Sequence, residues 1–236
     1  MVTPFGGGKR PGLYTEVFMK SKTWFISAVA AFGLIGGLGG VASGQLKSRP
    51  ADDWTERLAR PERIAGLKID FIISKLGLKP GQVVADIGAG PGVFSVPMAK
   101  AVAPGGKVYA VEIDKDFFPH IEKRAKEQQV TNVVTVAGKF TDPSLPARDV
   151  DLVLFHDVLH HIQDRAGYLK SLGQYMKPTG RVAIIELSAT TGSHKDEPEL
   201  VVTKDQVKAW MADGGFKPVQ EFDGLSEGKW FVVYAR

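Results

Sequence analysis

Apolar positions change their period several times between residue 60 and the C-terminus. Pro61 can open a helix, and Ile64, Leu67, Lys68, Phe71, Ile72 and Leu76 give it one stripe at helical spacing, stopped by Lys79-Pro80-Gly81. Val83–Ile87 then reads as a buried strand and Val93–Val102 as a helix, followed by a turn at Ala103–Gly106. Lys107–Ile113, Val133–Ala137, Val150–Phe155 and Arg181–Leu187 continue the strands, the last after a turn at Pro178–Gly180. Phe117–Gln129, Arg165–Met176 and Lys204–Gly214 are the helices set among them. Lys217–Phe222 and Trp230–Ala235 follow with no helix between them. Alternating α and β segments with apolar strands predict an α/β fold, a doubly wound and mostly parallel sheet. The final two strands predict an antiparallel hairpin at its edge.

The N-terminal segment follows a different pattern. No charged residue occurs from Thr23 to Leu46, and Lys20 and Lys22 precede the run. Ala42 and Gly44 suit a signal-peptidase site with cleavage before Gln45, and Met19 offers an alternative start for such a signal. The run is also long enough to span a bilayer as an uncleaved anchor, and Gly33/Gly37, Gly36/Gly40 and Gly40/Gly44 are spaced for helix packing. A buried soluble helix fits less well, because nothing polar marks a solvent face. Residues 1–49 are therefore expected to be a signal peptide or membrane anchor, with Pro50–Trp54 as linker and residues 50–236 as the domain. The side of the membrane stays open at this stage.

Composition narrows the chemistry. The 236 residues are 44% hydrophobic and 24% charged, enough for one domain with a sizeable core. With no cysteine, disulfides, thiolate metal sites and cysteine nucleophiles are excluded. The formal charge is +4, but Lys9, Arg10, Lys20 and Lys22 against Glu16 put +3 of it before residue 45. The rest carries no dense basic stripe, so nucleic acid is not an expected partner.

The candidate site begins at VVADIGAGPGVFS, Val83 to Ser95. Gly88, Gly90 and Gly92 do not fit the dinucleotide fingerprint, because Val93 stands three residues after Gly90. No Lys follows the last glycine, so the phosphate-binding loop of nucleotide hydrolases is excluded as well. Asp86 would repel a pyrophosphate and attract a cation. Glu112 lies twenty residues beyond Gly92 at the end of the next strand, where an acid can take both hydroxyls of a ribose, with Asp114 as the alternative. A ligand with a ribose at one end and positive charge at the other matches S-adenosylmethionine.

VVADIGAGPG, VYAVEID, VDLVLFHDVLHHI and the closing hairpin together resemble the class I S-adenosylmethionine-dependent methyltransferases from about Asp52 to Arg236. The small-molecule branch that includes ubiquinone and menaquinone C-methyltransferases is the nearest likeness. This resemblance implies a Rossmann-like, seven-stranded sheet and S-adenosylmethionine as cofactor. It implies that Asp86, Gly88, Ala89, Gly90 and Gly92 shape the methionine end, that Glu112 and Ile113 lie at the ribose, and that His156 and Asp157 stand beside the transferable methyl. After the third strand the family often has Gly-Asp, the acid contacting adenine. Here the residues are Gly138-Lys139-Phe140, which leaves Phe140 to stack on adenine or Asp142 to replace the acid.

Methyl transfer from a sulfonium is an in-line displacement that rests largely on positioning and desolvation. A base is required only where the acceptor must lose a proton. HDVLHHIQD supplies candidates in His156, Asp157, His160 and His161, although the last two can equally be capping and packing residues. Glu186, His194 and Lys195 are further candidates to meet an acceptor. Two other readings stand beside the methyltransferase: a non-catalytic binding module on the same fold, and a metal hydrolase in which His156 and His160 imitate the H-E-x-x-H motif. The expected acceptor is a small, apolar or membrane-delivered molecule.

Overall fold

The structure, a computed structural model, describes residues 50–188, 197, 200–225 and 228–236. The proposed signal or anchor, and His194 and Lys195, lie outside the described residues. Among the described residues no helix is long and apolar enough to cross a membrane.

Seven strands form one sheet: β1 Val83–Ile87, β2 Lys107–Glu112, β3 Val133–Ala137, β4 Val150–His156, β5 Met176–Leu187, β6 Lys217–Phe222 and β7 Lys229–Ala235. Their order is β3-β2-β1-β4-β5-β7-β6. The first five pair in parallel, and β7 runs antiparallel to both β5 and β6. The expected hairpin is present, but β7 is internal and only β6 reaches the edge.

Side chains alternate between two cores, as the strand period of two requires. Val153 and Phe155 of β4 join Val182 and Ile184 of β5 on one face, with Tyr168, Leu169, Val207 and Met211. Leu152 and Leu154 join Ala183 and Ile185 on the other, with Ile72, Leu76, Met98 and Val102. The covering helices include α4 Ser95–Val102, α5 Phe118–Glu127, α6 Arg165–Leu172 and α7 Lys204–Asp213. Sequential strands crossing over through helices reverse the order between β1 and β4, and ligand crevices in open α/β sheets lie at the carboxyl ends of the strands there.

Several expected boundaries change. The linker at Pro50–Trp54 is the start of α1, Ala51–Leu58, whose first turn carries Asp52 and Asp53. Its mostly polar sequence offers little stripe to read, since only Ala51 is buried. The single helix after Pro61 is two: α2 Pro61–Gly66 and α3 Ile69–Leu76. Lys68 between them is left-handed, at φ 51°, and its Nζ donates to the Gly224 carbonyl at 2.7 Å. The turn expected at Pro178–Gly180 is absorbed into β5 as an irregularity. Val150 pairs with Met176 and Leu152 with Arg181, so the intervening residues bulge out of the ladder.

Candidate functional site

β1 delivers Asp86 near the carboxyl end of the sheet, and the chain then turns through Gly88, Gly90 and Gly92 at φ 68°, 49° and 76°. These left-handed angles cost a residue with a Cβ about 1–2 kcal/mol each, which accounts for three glycines in five positions. Gly88 has a second reason. A Cβ there would lie 2.3 Å from Cγ2 of Val158, so the turn and the segment after β4 pack against each other without room for a side chain. Gly92 faces α5, where an added Cβ would lie 3.4 Å from Cγ2 of Ile121. The N–H groups of Gly88 and Ala89 both donate to the Val111 carbonyl, at 2.9 and 3.1 Å, which ties the turn to β2.

Both acids predicted from the sequence are buried at this turn, Asp86 at 3% and Glu112 at 6% exposure. Ser95, the first residue of α4, donates its hydroxyl to Asp86 Oδ2 at 2.6 Å. Burial pushes the Asp86 carboxyl up to about 7, opposed by the Ser95 bond and assisted by the nearby Glu112 charge. Glu112 accepts from the Gly90 N–H at 2.9 Å through one oxygen and from the Ile113 N–H at 2.8 Å through the other. Its carboxyl is also raised by burial, against the pull of these backbone donors. Two buried carboxyls beside a backbone cradle suit a ligand that brings a cation and hydroxyl donors. The residues present fit S-adenosylmethionine.

After β3, Gly138 donates to the Glu112 carbonyl at 3.0 Å, which places Lys139 and Phe140 next to Glu112. Phe140 is 46% exposed, free to stack on a flat ring. Asp142, the other candidate for the adenine, is engaged elsewhere. Its carboxylate accepts from the Ser144 N–H at 2.6 Å, the Tyr175 hydroxyl at 2.8 Å and the Ser171 hydroxyl at 3.2 Å, and is committed to that loop.

His156 ends β4 with its ring 4.4 Å from the ring of Phe94, a residue of the glycine turn. Burial carries its imidazole down to about 4, with Lys229 and Arg63 acting the same way against the Asp157 charge. It is neutral at physiological pH and too weak to serve as a base there. Asp157 follows at φ 53°, its side chain paired with Lys229 Nζ of β7. Burial raises the Asp157 carboxyl, but His156 and Lys229 outweigh this and hold it below the usual range.

His160 sits in a short 3-10 turn, Leu159–His161. Its Nδ1 lies 2.7 Å from Glu186 Oε2, and its backbone N–H donates to the other oxygen at 3.2 Å. A carboxylate only accepts, so Nδ1 carries the hydrogen and the ring is fixed as a base would be fixed by its orienting acid. The His161 ring is 4.1 Å from that of His160 and half-buried. The metal-hydrolase reading fails on geometry: His156 belongs to a strand and His160 to a 3-10 turn, whereas H-E-x-x-H needs one continuous helix. Among the described residues no group of three or more His, Asp or Glu is arranged to hold a metal.

The chain matches a family described as a methyltransferase domain, over residues 78–221. The chain belongs to this family. The match covers the glycine turn, both buried acids and the segment after β4, and S-adenosylmethionine as cofactor stands with it. A demethylmenaquinone methyltransferase of a Geobacillus species is 27% identical over half of this chain, and the chain spans about half the length of that relative (51%). An S-adenosylmethionine-dependent methyltransferase structure from Aquifex aeolicus superposes with a TM-score of 0.70 at 22% identity, covering 77% of this chain and 96% of that one. The magnesium protoporphyrin IX methyltransferase of Synechocystis, solved with S-adenosylhomocysteine, gives 0.61 at 18% identity, over 78% and 93% of the two chains. At these identities the two structures bear on the fold alone, and they agree with the seven-stranded sheet.

Local reading of the sequence missed Phe94, Ser95, Arg63 and Lys229. Ser95 stands inside the glycine stretch and could have been weighed as a partner for Asp86. No spacing rule connects Arg63 or Lys229 to Asp157.

Proposed function

We propose that this protein transfers a methyl group from S-adenosylmethionine to a small apolar acceptor. The observation that carries it is the pair of buried carboxyls, Asp86 and Glu112, facing one glycine turn. In this reading Asp86, held by Ser95, balances the positive charge of the cofactor's methionine end. Glu112 and Ile113 meet the ribose, and Lys139 and Phe140 border the adenine. His156, neutral and stacked on Phe94, lies beside the methyl, with Gly88, Ala89, Gly90 and Gly92 giving backbone access. The cofactor supplies an electrophilic methyl on a sulfonium. The chain supplies position and exclusion of water. Where the acceptor must lose a proton, His160 oriented by Glu186 is the base this geometry favours over His156 and His161. Asp157 positions the acceptor.

The menaquinone relatives support an apolar acceptor. The uncharged run from Thr23 to Leu46 supports delivery at a membrane, with residues 1–49 as the membrane-directing segment and 50–236 as the catalytic domain. A monotopic anchor would keep the domain on the side where the cofactor is made. Calorimetric titration with S-adenosylmethionine, followed by a screen for S-adenosylhomocysteine formation over phenols, quinols and lipids, tests the activity. Absence of cofactor binding overturns it, and binding without turnover on any acceptor favours the non-catalytic module. Full-length protein confined to the soluble fraction of fractionated cells would remove the membrane from the account.

A further inference from the structure

Ser95 is the first residue of α4 and is wholly buried. Serine is favoured one position earlier, as the helix cap, where its oxygen accepts from backbone N–H groups. Here the cap position is Phe94, in helical conformation, and no side chain caps the helix. The Ser95 hydroxyl donates instead to Asp86 Oδ2 at 2.6 Å, the length of a charge-assisted O–H to carboxylate bond. The start of the helix thus directs its hydroxyl across the glycine turn, to the strand that precedes it.

This bond divides the Asp86 carboxyl. Oδ2 is occupied by Ser95. Oδ1 accepts no bond among the described residues and, unlike Oδ1 of Asp157, is not closed off from solvent. Glu112 is not divided in this way, because each of its oxygens takes a backbone N–H. The other neighbours of Asp86 are simple. The sheet sets it beside Ala110 of β2 and Leu154 of β4, α4 contributes the Ser95 hydroxyl, and Glu112 is the charge that acts on it. Burial drives the carboxyl up to about 7, Ser95 opposes this, and Glu112 adds to it. Removing the hydroxyl would let the carboxyl rise further and leave it neutral at physiological pH, with nothing to offer a cation.

We propose that Ser95 is a positioning residue for the cofactor, clamping Asp86 by one oxygen so that the other, as carboxylate, meets the ammonium group of the cofactor's methionine end. The inference rests on the methyltransferase reading for the identity of the ligand. The ammonium brings positive charge to the turn, and the proton held by Asp86 leaves to solvent as the ligand binds. Ser95 donates to the carboxylate that remains, which lowers the cost of that proton's departure. Its bond also fixes the rotation of the carboxyl, so that Oδ1 is in place before the ligand arrives. A side chain that only filled the space beside Asp86 would do neither.

The test is calorimetric titration of the full-length protein with S-adenosylhomocysteine and with 5′-methylthioadenosine, which shares the ribose and base but has no ammonium. Each titration is run at mildly acidic and mildly alkaline pH, in two buffers of different ionisation enthalpy, so that proton release is read directly. At the acidic pH the wild type should release more protons with S-adenosylhomocysteine than with 5′-methylthioadenosine. The difference belongs to Asp86, because in this reading Glu112 faces the ribose of both ligands. Ser95→Ala should weaken S-adenosylhomocysteine about tenfold at the acidic pH, the scale of a hydrogen bond to a charged group, and less at the alkaline pH, where the carboxylate forms without help. It should leave 5′-methylthioadenosine unchanged, and Ser95→Thr, which keeps the hydroxyl, should restore most of the loss. Urea unfolding of the same samples separates these effects from a general loss of stability. Equal weakening of both ligands, a loss that does not change with pH, or no loss at all overturns the role of Ser95 while leaving the cofactor reading intact. Failure of the wild type to bind either ligand overturns the cofactor reading itself.

Discussion

The crevice at the carboxyl end of the sheet has two halves built in different ways. The half over β1 and β2 comes from one continuous stretch and one strand end: Asp86, the glycine turn, Ser95 and Glu112. Its bonds are mostly backbone, with Gly88 and Ala89 donating to Val111 and Gly90 donating to Glu112. The half over β4, β5 and β7 is made of side chains from distant positions: Arg63, His156, Asp157, His160, Glu186 and Lys229. Its bonds are ionic and side-chain mediated. A backbone cradle is rigid and fits a cofactor shared by a family. A side-chain cluster changes by single substitutions and fits an acceptor that differs between relatives. Damage to the first half should abolish folding or cofactor binding, whereas damage to the second should leave the cofactor bound and change turnover.

The seam between the halves should be the most sensitive point. Gly88→Val would drive its Cβ to 2.3 Å from Val158 at a left-handed φ, and overpacking plus strain should cost about 3 kcal/mol or more. Gly90→Val meets only Leu58 at 3.5 Å, so its stability cost should stay near the strain alone, about 1–2 kcal/mol, while cofactor binding is lost. Urea unfolding of both variants beside cofactor titration separates the two effects. Equal destabilisation would mean that the seam at Val158 yields more easily than its packing indicates.

Asp86→Ala should come next. In the proposed arrangement it removes the partner of the cofactor's positive end and should reduce affinity by about a hundredfold, the scale of a buried charge-assisted contact, at a stability cost of only about 1 kcal/mol for the bond lost by Ser95. Wild type carries a pH signature of the same group. The Asp86 carboxyl is near 7 in the folded protein against an ordinary 3.8, so the folded state holds a proton that the unfolded state has released. Its contribution to the stability of the unliganded protein is present below about pH 4 and is lost as pH rises to about 7. Cofactor affinity should move the opposite way, rising up to about pH 7 as the carboxylate forms. Calorimetry across that range should show a slope that Asp86→Ala reduces, the remainder coming from Glu112, whose carboxyl is also raised.

On the acceptor side, where the proposed reading has Glu186 orient His160 as the base, Glu186→Gln should lower turnover about tenfold to a hundredfold, at or below the lower end of general acid–base effects because the base itself remains, with cofactor affinity unchanged. Glu186 acts through His160, so the turnover–pH profile should shift with it. A change in cofactor affinity equal to the change in turnover would erase the distinction between the halves.

The same division explains what the sequence disclosed. Asp86, Gly88, Gly90 and Glu112 were legible because the turn and its strands keep their parts within thirty residues, and left-handed backbone selects glycine visibly. The central strands were legible because burial on both faces leaves continuous apolar runs, such as Leu152 to Phe155. Lys229 was not legible, because its partner Asp157 lies beyond another strand and only the insertion of β7 beside β5 brings Lys229 to the crevice. The hydrogen-bonded fate of Asp142 was hidden for the same reason, since Tyr175 and Ser171 reach it from about thirty residues away. Only its position two residues after Phe140 suggested a role at the adenine.

In the proposed arrangement Phe140 is the residue through which the cofactor half meets the adenine, and the smallest predicted effect follows from it. Phe140 is 46% exposed, an arrangement that loses apolar area to water unless something covers the ring. The backbone of Lys139 is clamped to Asp142 by an N–H to carbonyl bond of 2.8 Å, which presents the next residue at a fixed place beside Gly138 and Glu112. A base stacked on the ring is worth about 1 kcal/mol, or about fivefold in affinity. Phe140→Ala should therefore weaken S-adenosylhomocysteine binding about fivefold without changing the thermal midpoint of the unliganded protein, since an exposed ring contributes little to the core. Phe140→Trp should preserve the affinity or raise it. If Phe140→Ala binds the ligand as wild type does, adenine is held by other groups and the boundary of the cofactor half stops at Glu112.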